Sequence, residues 1–396
     1  MWFFNSPEIV FGEGSLSYLE QLEGKRAFIV TDAVITRLGH TARVKEALRA
    51  AGFDVAVFDG VEPDPSIETA RAGAALMAEF QPDWIVGLGG GSSLDAAKAM
   101  WVLYERPDVD PENLNPIEKL GLRRKARFLA IPTTSGTGSE ATWTIVVTNV
   151  AERRKLGLGS REVMPDVAIL DPSFVMSMPP RVTADTGMDA LTHAIEGFTC
   201  QWHNDFSDGL CLRAAQLVFE YLPRAYRDGS DLEARTKVHH AATIAGLGSG
   251  NGAASLAHGM GHALESVFHV PHGRAASLFL PYTIEFCAQG ARGDAAGAAG
   301  STRYGDLARF LGLPCATEKE AAASLAAAVR QLQLALDQPR TILACNISHQ
   351  DLDRELKQLM ALACNDHFTS ASTRIPDDGE MRRLFDYAYG GKSIDF

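Results

Sequence analysis

WIVGLGGGSSLDAAKAMWVLY, residues 84–104, joins a short apolar run to a longer helical pattern through three consecutive glycines. The run WIVGLG is typical of a buried strand, and the residues after the glycines repeat their apolar positions at helical spacing. The segment therefore predicts a strand, a tight turn and a helix. Strands that alternate with helices in this way form parallel sheets covered by helices on both faces.

The same alternation runs through the first half of the chain. Four further apolar runs predict strands, namely AFIV at 27–30, DVAVF at 54–58, RFLAIP at 127–132 and DVAILD at 166–171. After about residue 180 nearly every segment has helical periodicity, and we find no convincing strand. We expect an α/β domain with a parallel sheet over residues 1–180 and an all-α domain over residues 181–396.

Composition excludes several classes of protein. The formal net charge of −12 over 396 residues argues against nucleic-acid or anionic-membrane partners, because those require basic surfaces. No segment reaches the roughly 18 unbroken apolar residues of a membrane span, and the start MWFFNSPEIV lacks the basic region of a signal peptide. The six cysteines are scattered without a CxxC pair, which fits a reducing compartment. We expect a cytoplasmic protein.

The glycines of the turn allow a phosphate to approach the backbone, and the next helix would offer it unpaired N–H groups. Ser92 and Asp95 also form an S-x-x-D capping arrangement that needs no ligand, so the turn alone leaves both interpretations open. Asp32 closes the first strand and could hold a ribose 2′-hydroxyl while repelling a 2′-phosphate. Aspartate at such a position is also common as a turn or cap residue.

A second polar loop, PTTSGTGSEAT at residues 132–142, follows the predicted strand RFLAIP. Alone it could be a decorated turn. Two such loops at strand ends of one sheet favour a ligand site, because α/β sheets bind ligands at the carboxyl ends of their strands.

The second half carries candidate metal ligands. In TGMDALTHAIE, residues 186–196, Asp189 and His193 are four apart on a predicted helix and share one face. His258 and His262 repeat this spacing on another helix. Each pair alone is also typical of a surface hydrogen bond or of a buried histidine with a satisfied partner.

The second pair opens HGMGHALESVFHVPHG, residues 258–273, which also contains His269 and His272. Polar rings among Ala, Gly, Leu and Val need partners, since burying an unpaired polar group is costly. A carboxylate with several imidazoles is the ligand set of a divalent transition metal such as iron, zinc or manganese.

Taken together, the motifs resemble the iron-containing (group III) alcohol dehydrogenases. The match runs from FGEGSL at 11–16 nearly to the C-terminus. It includes GGGSSLDAAK, PTTSGTGSE, TGMDALTHAIE and HGMGHALESVFHVPHG in the family's order. The resemblance implies a Rossmann-like, dehydroquinate-synthase-like α/β domain followed by an all-α domain.

The resemblance also implies roles for individual residues. The metal ligands would be Asp189, His193, His258 and His272. His262 would be the catalytic histidine beside the nicotinamide, whereas His269 matches no functional position. The cofactor would contact Asp32, Gly90, Gly91, Ser92, Asp95, Thr133, Thr134 and Lys155.

The implied activity is reversible hydride transfer between a primary alcohol or its aldehyde and NAD, with a divalent metal as Lewis acid. Fe²⁺ is the expected metal, and the ligand types also permit Zn²⁺, Mn²⁺ or Ni²⁺. We expect a homo-oligomer with a small-molecule substrate. The alternatives are a dehydroquinate-synthase-like or glycerol-dehydrogenase-like enzyme acting on a polyol or hydroxy acid, or a metal-dependent structural protein.

The sequence departs from the family pattern in two places. Asp64 stands where relatives often have Asn in an E-P-x-P loop. NDHFTSASTR at 365–374 replaces a Cys-containing stretch that ends in Asn-Pro-Arg. If that segment lines the substrate pocket, His367 and Phe368 would alter substrate specificity.

Overall fold

The structure is a computed structural model that describes residues 3–114, 119–150, 154–290 and 295–396, without the side chains of 113, 154 and 295–301. The chain divides into two compact units, Met1–Met178 and Pro179–Phe396. Among the described residues, none of the helices combines the length and apolar character that a membrane span requires.

The first unit is built on a parallel sheet. Its strands are β1 Glu8–Phe11, β2 Arg26–Val30, β3 Asp54–Phe58, β4 Trp84–Gly89, β5 Arg127–Pro132, β6 Thr144–Asn149, β7 Arg154–Gly159 and β8 Val167–Leu170. Six of them form one sheet in the order β1-β8-β5-β4-β2-β3, with every neighbouring pair parallel. The other two, β6 and β7, pair as a separate antiparallel hairpin. The predicted parallel α/β fold is confirmed.

Helices connect these strands. They are α1 Ala33–Arg37, α2 His40–Ala50, α3 Ile67–Phe80 and α4 Gly91–Glu105. Helix α4 is buried over almost its whole length, and its small alanines let it pack closely against the sheet.

The strand order identifies one ligand-binding edge. The chain runs outward from β2 to β3, then returns to β4 on the other side of β2 and continues to β5. The direction of winding therefore reverses between β2 and β4. Ligands of such sheets bind beyond the carboxyl ends of the strands at this reversal, where Asp32 follows β2 and the glycine turn follows β4.

The described residues of the second unit form helices and the loops that connect them, without a strand. Its helices are α5 Pro180–Thr199, α6 Asp205–Arg227, α7 Leu232–Gly250, α8 Leu256–Phe268, α9 His272–Ala288, α10 Ala295–Phe310, α11 Glu318–Ala335, α12 His349–Asn365 and α13 Asp378–Gly390. The predicted all-α character of this half is confirmed. The core is continuous across these helices and is dominated by alanine and leucine side chains.

The turn between α8 and α9 sets the spacing of two histidines. His269 ends α8 in a left-handed conformation with φ of 56°, and its N–H donates to the Glu265 carbonyl at 2.8 Å. Pro271 then precedes the new helix, so that His272 becomes the first residue of α9. His269 therefore serves as a helix end.

Candidate active site

Three helices bring a carboxylate and two imidazoles together. Asp189 comes from α5, His258 from α8 and His272 from the start of α9. One ligand atom from each lies within 4.8 Å of the other two. The Nε2 atoms of His258 and His272 lie 3.6 and 3.5 Å from Asp189 Oδ1. The packing of the helices thus assembles a cluster from segments far apart in sequence.

His193 lies beside this cluster. It is one turn after Asp189, with its Nδ1 3.8 Å from Asp189 Oδ2, and its ring centroid is 4.3 Å from that of His258. Among the described residues, the group whose ligand atoms are all mutually close contains the other three predicted ligands and not His193. The structure therefore brings all four residues into one neighbourhood, with His193 at its margin.

The cluster contains buried polar atoms that no described residue satisfies. Asp189 Oδ1, His258 Nε2 and His193 Nδ1 are all buried without a hydrogen-bond partner. Such atoms are costly unless something binds them. One carboxylate and several imidazole nitrogens are a donor set for a divalent transition metal, so the residues fit such an ion.

The charges within the cluster are strongly coupled. Burial would raise the pKa of Asp189, but the imidazoles of His193 and His272 outweigh burial and hold that pKa well below its usual range. Burial lowers the pKa of His193 to about 4 in spite of the neighbouring carboxylate. Burial would also lower the pKa of His258, but Glu196 and Asp189 raise it to about 10. Because a ligating imidazole must be neutral, an incoming cation would displace the His258 proton.

Three histidines share one supporting arrangement, in which each Nδ1 contacts a carboxylate. The pairs are His258 with Glu196 at 2.5 Å, His272 with Glu265 at 3.1 Å and His262 with Asp366 at 2.8 Å. A carboxylate on Nδ1 fixes the orientation of the ring and leaves Nε2 for a ligand or a proton. The arrangement is typical of metal-binding histidines.

Glu196 has a second task. Its carboxylate accepts the Ser255 N–H at 2.9 Å, the Ser255 hydroxyl at 3.0 Å and the Ala257 N–H at 2.6 Å. These donors lie at the start of α8, where the Ser255 side chain makes no capping bond of its own. A buried acid of α5 therefore caps α8 and holds the first histidine of that helix.

None of these three acids was predicted from the sequence. Glu196 and Glu265 each lie seven residues after a predicted ligand, two turns further along the same helix face. An acid on an otherwise buried face was the available signal. Asp366 is 104 residues from His262 and offered no spacing to detect.

At the nucleotide edge, Asp32 caps α1. One carboxylate oxygen accepts the N–H groups of Val34 and Ile35 at 2.8 and 3.1 Å, and the other accepts the Ser93 hydroxyl at 3.0 Å. The interpretation as a cap residue is therefore correct. The same bonds hold the carboxylate between the end of β2 and the start of α4, so both roles remain compatible.

The S-x-x-D capping interpretation of the glycine turn is wrong. The N-cap of α4 is Gly90, and no side chain in the described part of the chain caps the start of the helix. Asp95 instead accepts the Ser139 hydroxyl at 2.5 Å and the Val146 N–H at 2.9 Å. The first N–H groups of α4 thus stay uncapped by side chains, as an anion site requires.

The two polar loops meet at this edge. A Cβ on Gly91 would lie 2.8 Å from Thr137 Cγ2, and one on Gly90 would lie 3.3 Å from the side chain of Thr134. Thr133 donates its N–H to the Gly89 carbonyl at 2.9 Å, and its buried hydroxyl has no partner among the described residues. Glycine is required here for close packing of the loops.

Lys98 holds the second loop and was not singled out from the sequence. It is fully buried, and its Nζ donates to the carbonyls of Ser139, Thr142 and Thr144 at 2.7, 3.0 and 3.0 Å. Burial lowers the pKa of Lys98 to about 8. This side chain therefore holds the loop from within the protein.

Lys155 contacts Asp64, the first of the two places where the sequence departs from the family pattern. Its Nζ lies 2.7 Å from Asp64 Oδ1, which joins β7 to the loop after β3. Asp64 adopts a left-handed conformation with φ of 56°. Since β3 neighbours β2, this ion pair belongs to the same edge of the sheet as Asp32.

The second place of departure, residues 365–374, lies against His258 and His262. The ring of Phe368 is 6.0 Å from that of His258 and 5.7 Å from that of His262, centroid to centroid. His367 in turn packs on Phe368 at 4.0 Å. The segment at 365–374 therefore borders the cluster.

Comparison with known proteins gives a consistent result. The profile of the iron-containing alcohol dehydrogenases matches residues 6–172, and that of the C-terminal region of the Fe-containing alcohol dehydrogenase family matches residues 183–389. An NADPH-dependent butanol dehydrogenase of Clostridium saccharobutylicum is 38% identical over 391 residues, which cover 98% of each chain. The structure of an alcohol dehydrogenase from Oenococcus oeni superimposes with a TM-score of 0.91 at 28% identity, covering 98% of this chain and 100% of that one.

Some relatives are longer. Aldehyde-alcohol dehydrogenase 2 of Entamoeba histolytica is 38% identical over 405 residues, but the match covers 98% of this chain and only 46% of that protein.

The fold and the two matching profiles define the class: the chain belongs to the iron-containing alcohol dehydrogenase family. It is an oxidoreductase of the alcohol–aldehyde type. Membership implies a divalent metal ion and a nicotinamide cofactor. The resemblance noted from the sequence motifs is thereby confirmed.

Proposed function

We propose that this chain is an NAD-dependent, iron-dependent dehydrogenase that interconverts a primary alcohol and its aldehyde. The cluster of Asp189, His258 and His272, with its unsatisfied buried atoms, is the observation that carries the proposal. His193 completes the proposed ligand set.

The metal ion would be held by these four residues. Fe²⁺ is proposed first because of the family, and Zn²⁺, Mn²⁺ or Ni²⁺ would suit the same ligands. When bound, the ion supplies Lewis-acid polarisation of the substrate oxygen. Glu196 and Glu265 keep the two supported imidazoles oriented, so that little rearrangement accompanies binding.

His262 is proposed to be the catalytic histidine. It is outside the group of close ligand atoms, and its ring stacks on that of His272 with centroids 5.3 Å apart. From this position it would carry the proton that the alcohol loses on oxidation away from the site, and would return it during aldehyde reduction. The hydride chemistry belongs to the nicotinamide.

The cofactor is proposed to be NAD. The negative carboxylate of Asp32 is fixed at the ligand edge by three hydrogen bonds, where it would accept a ribose hydroxyl and repel a 2′-phosphate. The proposed contacts also include Gly90, Gly91, Ser92, Asp95, Thr133, Thr134 and Lys155. For Asp95, whose oxygens are bonded within the protein, the contact would be through the backbone or indirect.

The test combines metal analysis with a cofactor comparison. Protein purified without air should contain about one equivalent of iron per chain, and should oxidise NADH faster than NADPH in the presence of a short aldehyde. His262→Ala should lower turnover while the iron stays bound. A preference for NADPH would overturn the NAD assignment, and inactivity toward a broad aldehyde panel with metal bound would overturn the substrate class.

We also propose a cytoplasmic homo-oligomer. All six cysteines are free thiols, which suits a reducing compartment. Strand β1 lies at the edge of the sheet with Phe11 65% exposed, and no described strand pairs with its outer side. A second copy could pair there. Light scattering should give a dimer or larger species. Phe11→Pro should dissociate it, because the N–H of residue 11 alternates with those of Glu8 and Gly12 that bond β8 and so faces the open side of β1. A monomeric unaltered protein would contradict the proposal.

A further inference from the structure

His262 and Asp366 contact each other although 104 residues separate them in the sequence. His262 Nδ1 and Asp366 Oδ2 are 2.8 Å apart, and the two side chains are only 13% and 14% exposed. A carboxylate and an imidazole in this geometry are held in place by the fold, because solvent competes little for either group.

The fold fixes the carboxylate from its own side. Asp366 follows the last residue of α12, and its second oxygen accepts the Phe368 N–H at 2.9 Å. The next turn is closed by the Thr369 hydroxyl, which donates to the Ala363 carbonyl at 2.7 Å. The oxygen that contacts His262 therefore has little freedom to turn away.

The fold also fixes the turn against α8. A Cβ on Gly259 would lie only 2.1 Å from Thr369 Oγ1 and 3.5 Å from Asp366 Cβ. Glycine at this position allows the 366–369 turn to lie directly on the helix that carries His262. Helix and carboxylate thus form one rigid arrangement.

We propose that Asp366 is a positioning residue that holds His262 in the tautomer with hydrogen on Nδ1. The carboxylate can only accept at this contact, so Nδ1 donates and Nε2 keeps its lone pair for a proton. A carboxylate behind an imidazole serves the same purpose in hydrolytic triads. The inference rests on the proposed role of His262 as proton carrier.

The first test reads the tautomer without any activity measurement. Protein labelled with ¹⁵N-histidine is loaded with Zn²⁺, which is diamagnetic, and the His262 signals are assigned by their loss in His262→Gln. We expect a protonated Nδ1 and an unprotonated Nε2 in the unaltered protein. Hydrogen on Nε2, or exchange between the two tautomers, would overturn the proposal whether or not Asp366→Asn folds.

The second test uses Asp366→Asn. The amide can donate as well as accept, so the His262 signals should shift toward the other tautomer. The kcat should fall by about 10- to 100-fold, less than the roughly 100- to 10,000-fold that an acid–base group itself contributes, because His262 is still present. The KM for the alcohol and the metal content should be nearly unchanged. Unaltered tautomer signals, or a loss of activity that merely follows loss of metal, would overturn the proposal.

A matched control lies on α12, the helix that Asp366 follows. His349 Nδ1 and Asp353 Oδ2 are also 2.8 Å apart, but they are 66% and 51% exposed. Asp353→Asn should leave kcat and the His262 signals unchanged. The two proposals fail separately: full activity in His262→Ala would remove the proton-carrier role, whereas the NMR signals alone decide whether Asp366 sets the tautomer.

Discussion

The nucleotide edge and the histidine cluster are built in opposite ways. The nucleotide edge depends on the absence of side chains. The glycines at 89–91 let two loops touch, and Gly90 leaves the N-terminus of α4 without a side-chain cap. The cluster depends on atoms that are present, since each supported imidazole has a carboxylate behind it. Adding atoms should therefore damage the first region, and removing charge should damage the second.

Among the variants of the two regions, we expect Asp189→Asn to have the largest effect. Asp189→Asn keeps the shape and removes the negative charge at the centre of the cluster. Metal affinity should fall by more than the roughly 100-fold that loss of a supporting residue costs, and activity should fall with it. Metal content after anaerobic dialysis measures the loss.

Asp185→Asn is the control for that variant. Asp185 lies one turn earlier on α5 and pairs with Arg274 at 2.9 and 3.0 Å. The protein should lose stability but retain its metal. Equal retention in both variants would show that Asp189 does not ligate.

Glu196→Gln should have the next largest effect. The amide cannot match the carboxylate that accepts from both His258 and the start of α8, so metal affinity should fall by about 10- to 100-fold. Glu265→Gln provides the comparison, because its partner His272 is 30% exposed and water can replace part of the contact. A metal titration of both variants should show the larger loss at Glu196; the reverse order would contradict the role of burial.

Gly91→Ala tests crowding at the nucleotide edge. The new Cβ would meet Thr137 at 2.8 Å and force the loops apart. The Kd for NADH should rise by about tenfold, corresponding to about 1.4 kcal/mol, while metal content stays the same. Gly209→Ala is the matched control, since this helical glycine has nothing within 4 Å of a Cβ. That variant should bind NADH normally and be slightly more stable.

Asp32→Asn should give the smallest change. Asparagine still caps α1, but the charge that opposes a 2′-phosphate is gone. The preference for NADH over NADPH should fall by about three- to tenfold in kcat/KM, equivalent to about 1 kcal/mol. Asp54→Asn, at the amino end of β3, should leave the ratio unchanged. An unaltered ratio in both variants would exclude Asp32 as the selecting residue.

The sequence predicted those strands whose own residues are apolar. All five predicted strands are present with ends within one residue. Strand β1 has only four residues, with both ends exposed, and is ordered by pairing with β8 at a distance in sequence. The hairpin of β6 and β7 was missed as well. Pairing with a distant segment left no periodic trace at β1, whereas β6 and β7 are neighbours along the chain and β6 alternates buried and half-buried residues, a local signal that was overlooked.

At the candidate site, helical spacing in the sequence predicted which residues share a helix face. It could not predict contacts between residues far apart in the sequence. Asp189 with His193, and His258 with His262, could be placed on shared helix faces. The capping interpretation of Ser92 and Asp95 was wrong because α4 already begins at Gly91. Asp95 instead bonds to Ser139 and to Val146 of β6, more than forty residues away. Asp366 could be found only from the fold.

The buried amine of Lys98 can report local opening of the first unit. Its three carbonyl partners enclose it, so a reagent that acylates amines can reach it only in molecules whose 139–144 segment has momentarily detached. Once acylated, the side chain cannot return to its place, and each such event is preserved. The rate at which Lys98 is acylated therefore measures how often the 139–144 segment opens. A dinucleotide that bridges the two loops would lower this rate.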